Sequence, residues 1–399
     1  MQYDNESNFE HYFDGNDIFS TPVNVAYNDK LVDFLSSLSK SILKDKVARE
    51  YPDLITFAYF CRKSNLVNFK ENYFDINLSN RFGLGVCLHI APANIPMNFA
   101  FSFAMGLISG NKNIVRLPSK NFEQIGLFLK HFKNVASDAS YSEIERSNFF
   151  VRTQRNSEKL LSLVSKVDCM VVWGGDVTVA SFRNLVKKPS CVEVYFPDRV
   201  SSLLIDCDYF IKQDERALKA FCSDLYNDTY LVDQNACSSA SMILWYSKNN
   251  NFELAKNKLN ESLVSFLDYK YKLETISRIE KDIDIMRYCY SVNSSLQLDK
   301  LHDKLWYIDT PSYKLIKPKL GTFITKNIDD LASLSTIFRD NEQTLTYFGF
   351  SEGENKELFE SISYPMLDRI VPVGQALDIG FIWDGKNMIY SLSKCVDRK

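Results

Sequence analysis

The sequence predicts an α/β protein of two domains built on parallel sheets. Short apolar runs end in glycine or proline turns and lead into amphipathic helical patterns, and this alternation recurs between Phe82 and Leu185. That order is the signature of β-α-β units whose strands are covered on both faces. The 399 residues, 45% of them hydrophobic, can bury a large core, and the length favours more than one domain.

Taken in order, Leu31, Phe34, Leu35, Leu38 and Ile42 recur at helical spacing, with Asn28 or Asp29 as N-cap, so the first eighty or so residues read as a helical lead-in. The run Gly83-Leu84-Gly85-Val86-Cys87-Leu88-His89-Ile90 predicts a buried strand, broken by Ala91-Pro92-Ala93-Asn94-Ile95-Pro96. Residues 97–108 are nearly all apolar or small, which suits a helix buried on most sides and ended at Gly110-Asn111. A strand over 113–117 stops at Pro118, and helices follow over 122–132 and 157–164. The strand 167–173 runs into Gly174-Gly175-Asp176 and a helical pattern through Leu185, and a strand over 200–206 closes this half. Beyond it a helical stretch, a polar loop around Cys237 and a strand over 242–245 open a second half. No repeat or low-complexity linker marks the boundary, which rests on element order and falls near residue 207.

Composition excludes several classes. With 47 Lys+Arg against 50 Asp+Glu, a net charge of -3 and no dense basic tract, nucleic acid is not the expected partner. Nine cysteines, an odd number without a C-x-x-C pair, argue for free thiols in a reducing compartment. Four scattered histidines, His11, His89, His131 and His302, suggest no His-based metal site. The acidic start MQYDNESNFEHYFDGND does not resemble a signal peptide, and no apolar stretch approaches the roughly 18 residues a membrane span needs. The expectation is a soluble cytoplasmic protein.

Three constellations bear chemistry. Asp233-Gln234-Asn235-Ala236-Cys237-Ser238-Ser239 is a polar, small-residue loop with one thiol. Such a setting suits a nucleophilic thiolate, which needs access and nearby N–H groups or positive potential. A buried thiol acting as a small hydrophobe is the other reading for any cysteine, and it fits Cys87, Cys169 and Cys207 in their apolar runs better than Cys237. Trp173-Gly174-Gly175-Asp176 lets a helix amino end approach a pyrophosphate, but lacks the full G-x-G-x-x-G pattern and reads equally as a tight turn. Asn94 at a strand-to-helix turn suits a hydrogen-bond donor to an oxyanion, and Arg116 with Ser119 suits a ribose or phosphate; singly these are also an ordinary turn Asn and a surface Arg.

The order of these pieces resembles that of the aldehyde dehydrogenase superfamily, and more closely that of the LuxC-type fatty acyl-CoA reductases. The likeness is carried by Gly110-Asn111 with Arg116-Leu117-Pro118-Ser119, Trp173-Gly174-Gly175-Asp176 and Phe196-Pro197-Asp198-Arg199-Val200-Ser201. The most specific segments are the cysteine loop 233–239 and the ending Asp368-Arg369-Ile370-Val371-Pro372-Val373-Gly374. The resemblance implies a Rossmann-like cofactor domain over 1–206, a catalytic α/β domain over 207–370, and a tail, 371–399, that packs back near the site or at a subunit interface. It implies that the Cys237 thiolate attacks an acyl-CoA or other activated acyl donor, with Asn94 and the Cys237 N–H holding the oxyanion. Hydride then comes from NADPH, with NADH the other option, bound over Trp173, Gly174, Gly175 and Asp176 with Arg116 and Ser119 at the adenosine ribose, and an aldehyde is released. An acyl-activating synthetase and other copies of the chain are the partners it implies.

Oxidising aldehyde dehydrogenases carry a water-activating Glu where the alignment here places Tyr195, with Glu193 two residues away, and which of the two occupies the position stays open. A phenol of pKa ~10 is a poor base at neutral pH. The run Pro318-Lys319-Leu320-Gly321-Thr322 lacks the Glu that relatives place on the nicotinamide ribose. A hydrolytic NAD(P)-dependent aldehyde dehydrogenase, and an acyltransferase or scaffold without hydride chemistry, are the competing readings. Phe99, Phe101 and Phe103 read either as the lining of an acyl tunnel or as core.

Overall fold

In the computed structural model, which describes residues 18–73, 78–93, 95–154, 156–292, 295–351, 353, 358 and 367–397, the apolar runs become strands of two separate sheets. The chain divides into two units, one of Met1–Pro197 with Ile379–Lys399 and one of Asp198–Asp378.

The first unit holds β1 (Val86–Ile90), β2 (Lys112–Arg116), β3 (Asn148–Val151), β4 (Cys169–Trp173) and β5 (Val192–Phe196) in the order β3-β2-β1-β4-β5, every neighbouring pair parallel. Every residue of β1 and β2 is buried, as a strand covered on both faces requires. On one face α1 (Asp29–Lys44), α2 (Pro52–Phe60), α3 (Asn98–Ile108) and α4 (Glu123–Ala136) share a core. Helix α1 starts where the side chain of Asn28 accepts from Leu31 N (3.2 Å) and buries the expected stripe from Leu31 to Ile42. Phe99 and Phe103 meet Phe128 edge-on and Phe101 meets Phe57 and Phe60, so all three are core residues. The other face is covered by α5 (Glu158–Val164) and α6 (Asp176–Arg183) through Leu160, Val164 and Phe182.

The second unit holds β6 (Val200–Asp206), β7 (Ala240–Tyr246), β8 (Gln297–His302), β9 (Leu305–Asp309), β10 (Thr322–Ile328), β11 (Glu342–Phe348) and β12 (Arg369–Pro372). Their order is β12-β11-β6-β7-β10-β9-β8, parallel throughout except for the antiparallel pair β8–β9. Helices α7 (Glu215–Asp228) and α8 (Phe252–Lys270) cover one face through Phe221, Leu225, Leu259 and Leu263, and α9 (Thr275–Ser291) covers part of the other through Ile285.

The structure differs from the sequence-based outline in three places. Strand β6, expected to close the first half, lies between β11 and β7 in the second sheet, so the division falls at Pro197/Asp198 rather than near 207. An apolar run carries no mark of which sheet it joins. The tail divides too: Arg369–Pro372 stays in the second sheet, whereas Ser393–Cys395 pairs antiparallel with Arg81–Gly83 in the first unit. The expected strand 83–90 is interrupted at Gly85, which has φ +143. A Cβ there would lie 2.1 Å from the Asp168 carboxylate, whose Oδ2 accepts from Val86 N at 2.8 Å and so fixes the start of β1.

Gly85→Ala combines that overlap with a backbone conformation L residues rarely adopt, and is expected to lower the unfolding free energy by roughly 2–4 kcal/mol. Urea unfolding followed by circular dichroism measures this; an unchanged midpoint would refute the packing of Asp168 against Gly85.

Candidate active site

Cys237 lies in the turn that leads into β7, and four side chains hold that turn. Asp233 and Gln234 both have left-handed backbones, φ 51° and 59°, which fold the chain back on itself. The buried Gln234 amide donates to Ala240 O (2.7 Å) and Thr322 O (3.2 Å) and accepts from Gly321 N (2.9 Å), tying the cysteine loop to the start of β10. Tyr271 OH donates to Asp233 Oδ1 (2.6 Å), and Ser239 Oγ donates to Asp228 O (2.7 Å). Ser201 Oγ donates to the Cys237 carbonyl (2.7 Å) and accepts from Thr344 N (3.1 Å). Beneath the loop, buried Arg339 donates to Glu342 (3.1 Å) and Ser241 Oγ (3.0 Å), and Ser202 Oγ donates to the same carboxylate. The backbone before and after the thiol is therefore held by the hydrogen bonds of Asp233, Gln234, Ser201 and Ser239.

Five of the other thiols are held in the protonated form by burial. Burial raises the pKa of Cys61 and Cys169 well above the ordinary thiol value, and pushes those of Cys191, Cys207 and Cys222 up to about 11, 12 and 12. Cys87 is buried and Cys289 and Cys395 are exposed, whereas Cys237 is half-buried.

In the first unit, Trp173 ends β4 at the carboxyl edge of the sheet, beside the point where strand order turns between β1 and β4. Open α/β sheets bind ligands at such a switch point. The indole lies flat on Phe196 (centroids 3.7 Å apart, planes at 10°), and Trp383 stands edge-on to both, 5.0 Å from Trp173 and 6.1 Å from Phe196. A buried relay orients the indole. Asn113 Nδ2 donates to Asn111 O (3.1 Å) and Asn148 Oδ1 (2.7 Å), leaving its Oδ1 to accept from His89 Nε2–H (2.9 Å). With that tautomer, His89 Nδ1 accepts from Ser102 Oγ (2.8 Å), which in turn accepts from Trp173 Nε1 (3.2 Å). A Cβ on Gly106 would sit 2.1 Å from Asn113 Oδ1 and 2.7 Å from His89 Nε2, so α3 approaches the relay this closely only with glycine there.

Of the residues singled out in the sequence, Trp173, Gly174, Gly175 and Asp176 form the β4–α6 turn, with Gly175 as N-cap. Arg116 ends β2 at the same edge but is buried, its Nε donating to Thr153 O (3.0 Å). Ser119 is exposed just beyond it. Cys237 belongs to the other unit, and Asn94 lies outside the described residues. Glu193 and Tyr195 share one face of β5: Glu193 is paired with Lys187 (2.9 Å) and accepts from the Tyr195 hydroxyl. Burial and this carboxylate raise the Tyr195 pKa above the ordinary phenol value.

Sequence reasoning named Gln234, Ser201 and Phe196 only inside motifs and gave them no role, and it missed the His89–Ser102 relay and Trp383. Only Trp383 had a local signal: Asp384-Gly385, with φ 45° and 69°, makes the two-residue turn of the Ile382–Trp383/Lys386–Asn387 hairpin.

The sequence profile of the acyl-CoA reductase (LuxC) family matches residues 7–395. Comparison with curated protein sequences gives no match. Among solved structures, a lactaldehyde dehydrogenase is similar over 98% of this chain and 88% of its own, at 11% identity and TM-score 0.64. A glyceraldehyde-3-phosphate dehydrogenase from Methanocaldococcus jannaschii complexed with NADP is similar over 99% of this chain and 94% of its own, at 13% identity and TM-score 0.65. A 1-pyrroline-5-carboxylate dehydrogenase from Thermus with bound NAD covers 97% and is covered over 82%, at 12% identity and TM-score 0.64. The fold is aldehyde dehydrogenase-like.

The relay has a measurable pH signature. Burial lowers the His89 pKa from 6.5 to about 4, so between those values the unfolded chain binds a proton that the folded chain excludes. The neutral imidazole's stability contribution is therefore complete above the unfolded value and falls away toward pH 4, by about 3 kcal/mol in all. Urea unfolding across this window should show that loss in the native chain and a flatter profile in His89→Gln. Identical slopes would refute the neutral, relay-bound imidazole.

Proposed function

The chain belongs to the acyl-CoA reductase (LuxC) family, and from that premise we propose that it reduces an activated, long-chain fatty acyl group to the aldehyde with NADPH, through a thioester on Cys237. The observation that carries this reading is the Cys237 turn: a half-buried thiol on a backbone immobilised by Gln234, Ser201, Ser239 and Asp233. Such a backbone holds the attacking sulfur and the Cys237 N–H in fixed geometry, so no reorganisation is needed as the oxyanion develops. The sulfur attacks the acyl carbonyl carbon, a tetrahedral oxyanion forms against the Cys237 N–H and Asn94, and the donor thiolate leaves with its bonding pair. Cys237 then carries the acyl group.

The carboxyl edge of the first unit fits a nicotinamide dinucleotide. The amino end of α6, capped by Gly175, suits a pyrophosphate, and the Trp173/Phe196/Trp383 wall suits a flat ring. Trp173, Gly174, Gly175 and Asp176 would hold the cofactor, with Ser119 and Arg116 on its adenosine side; Arg116, tied to Thr153 O, would act from a buried position. When bound, the reduced nicotinamide supplies the hydride that, with one proton, turns the Cys237 thioester into aldehyde and free thiol.

The pairing of Glu193 supports reduction over hydrolysis. Its carboxylate is engaged by Lys187 and by the Tyr195 hydroxyl, and Tyr195 itself resists ionisation, so neither is suited to activate water against the acyl-enzyme. The donor is a coenzyme A thioester or an acyl group delivered by an acyl-activating synthetase, and the protein acts in the cytoplasm as a homo-oligomer. Among the described residues no helix is long and apolar enough to cross a membrane.

The test is oxidation of NADPH, with NADH in parallel, against acyl-CoA donors of graded chain length. Donor-dependent oxidation should appear in the native chain and fall by roughly a thousandfold or more in Cys237→Ala. Oxidation that survives Cys237→Ala would overturn the nucleophile, and acid release without oxidation would overturn the reaction class. Trp383→Ala should weaken NADPH binding by about five- to tenfold while leaving the rate of Cys237 alkylation unchanged; equal cofactor affinity would remove the aromatic wall from the site.

A further inference from the structure

Helix α9 carries two apolar faces, and only one of them belongs to the core. Lys281, Ile285, Tyr288 and, just past the end of the helix, Val292 turn inward: Ile285 and Val292 are buried, Tyr288 packs on the same core and donates to Lys317 O (2.6 Å), and Lys281 donates to Asp303 O (3.0 Å). Ile276, Ile279, Ile283, Met286 and Tyr290 turn outward and are 64, 51, 40, 69 and 92% exposed. Their spacing of three and four residues repeats along the helix, and at about 100° per residue they form a narrow stripe roughly opposite the core face. This is the pattern of a coiled-coil seam, so it is not spill from the core beneath.

We propose that this stripe is the contact surface for a second copy of the chain, with the two α9 helices antiparallel about a twofold axis. The charges beside the stripe select this occupant and direction. In the heptad set by Ile276, Ile279, Ile283, Met286 and Tyr290, the exposed Glu280 and Arg287 fall in equivalent flanking positions one heptad apart. An antiparallel twofold pairing that sets Ile283 against the partner's Met286 brings Glu280 beside the partner's Arg287, and the symmetric contact repeats it. The helix is thus charge-complementary to itself in that orientation. A parallel pairing would instead set Glu280 beside the partner's uncharged Thr275, and Arg287 beside the partner's Asp282, a carboxylate that Lys300 of the same chain already holds (3.1 Å). Arg287 already meets Asp284 of its own helix (3.1 Å), but its side chain is 72% exposed and its guanidinium has further donors for a second carboxylate.

The test is sedimentation equilibrium of the full chain, with circular dichroism and thermal melting as controls for fold. The native chain should self-associate, and Ile283→Glu, on the outer face, should raise the dissociation constant by roughly a hundredfold or more. Glu280→Arg and Arg287→Glu should each weaken association by about tenfold, since each sets like charges together at two symmetric contacts. The double exchange should restore the native constant to within about threefold. A monomeric native chain, an unchanged mass distribution in folded Ile283→Glu, or a double exchange weaker than either single change would each overturn the proposal. The charge exchanges involve only exposed side chains, so they decide the matter even if Ile283→Glu fails to fold.

Discussion

The inner strands of both sheets are covered by apolar side chains on both faces, and this constraint decides where chemistry can occur. A parallel strand buried on two sides presents no face to a substrate, so reactive groups must sit at strand ends. In the first unit they gather at the carboxyl edge, where Trp173, Gly174 and Gly175 follow β4. In the second, Cys237 stands just before the amino end of β7, flanked by Ser201 of β6, Thr322 of β10 and Thr344 of β11.

Polar groups placed at such edges are only partly hydrated, so each must find a partner inside the protein. Leaving one buried donor or acceptor unmet costs about 1–3 kcal/mol. The two units meet this demand in the same way, with short side chains working as double-ended links. Ser102 joins His89 to Trp173, and Ser201 joins Thr344 to the Cys237 carbonyl. The buried Arg339–Glu342 pair extends the second network to Ser202 and Ser241. A buried ion pair gives little net stability because desolvation offsets its attraction. Its value here is positional, since removing either member would leave a charge unpaired under the cysteine loop.

The sequence made the periodic features legible and left the long-range ones hidden. The stripe from Leu31 to Ile42, the buried helix after Pro96 and the polar loop at Cys237 are local patterns, and local patterns survive folding. Membership of β6 in one sheet or the other is decided by partners at 240–246 and 342–348, which no window around 200–206 contains. The interruption at Gly85 depends on Asp168, 82 residues from the Val86 N–H it accepts. Gln234 looked like one polar residue among several, because the Gly321 N–H that gives it purpose is 87 residues away. The resemblance supplied Cys237 and Trp173 directly, but it carried no information about what immobilises them.

That distinction bears on the chemistry. A thiol in a polar loop is common, and five of this chain's nine cysteines are held neutral by burial instead. What separates an acyl-holding cysteine from an accessible one is a backbone that cannot relax when the tetrahedral oxyanion forms. The left-handed residues Asp233 and Gln234 are costly in isolation and persist because Tyr271, Ala240, Thr322 and Gly321 bind their side chains. The same economy explains Glu193. Its carboxylate is occupied by Lys187 and by the Tyr195 hydroxyl. A thiol on a fixed backbone and a carboxylate already engaged by two partners are the two separate arrangements on which the proposed reduction rests.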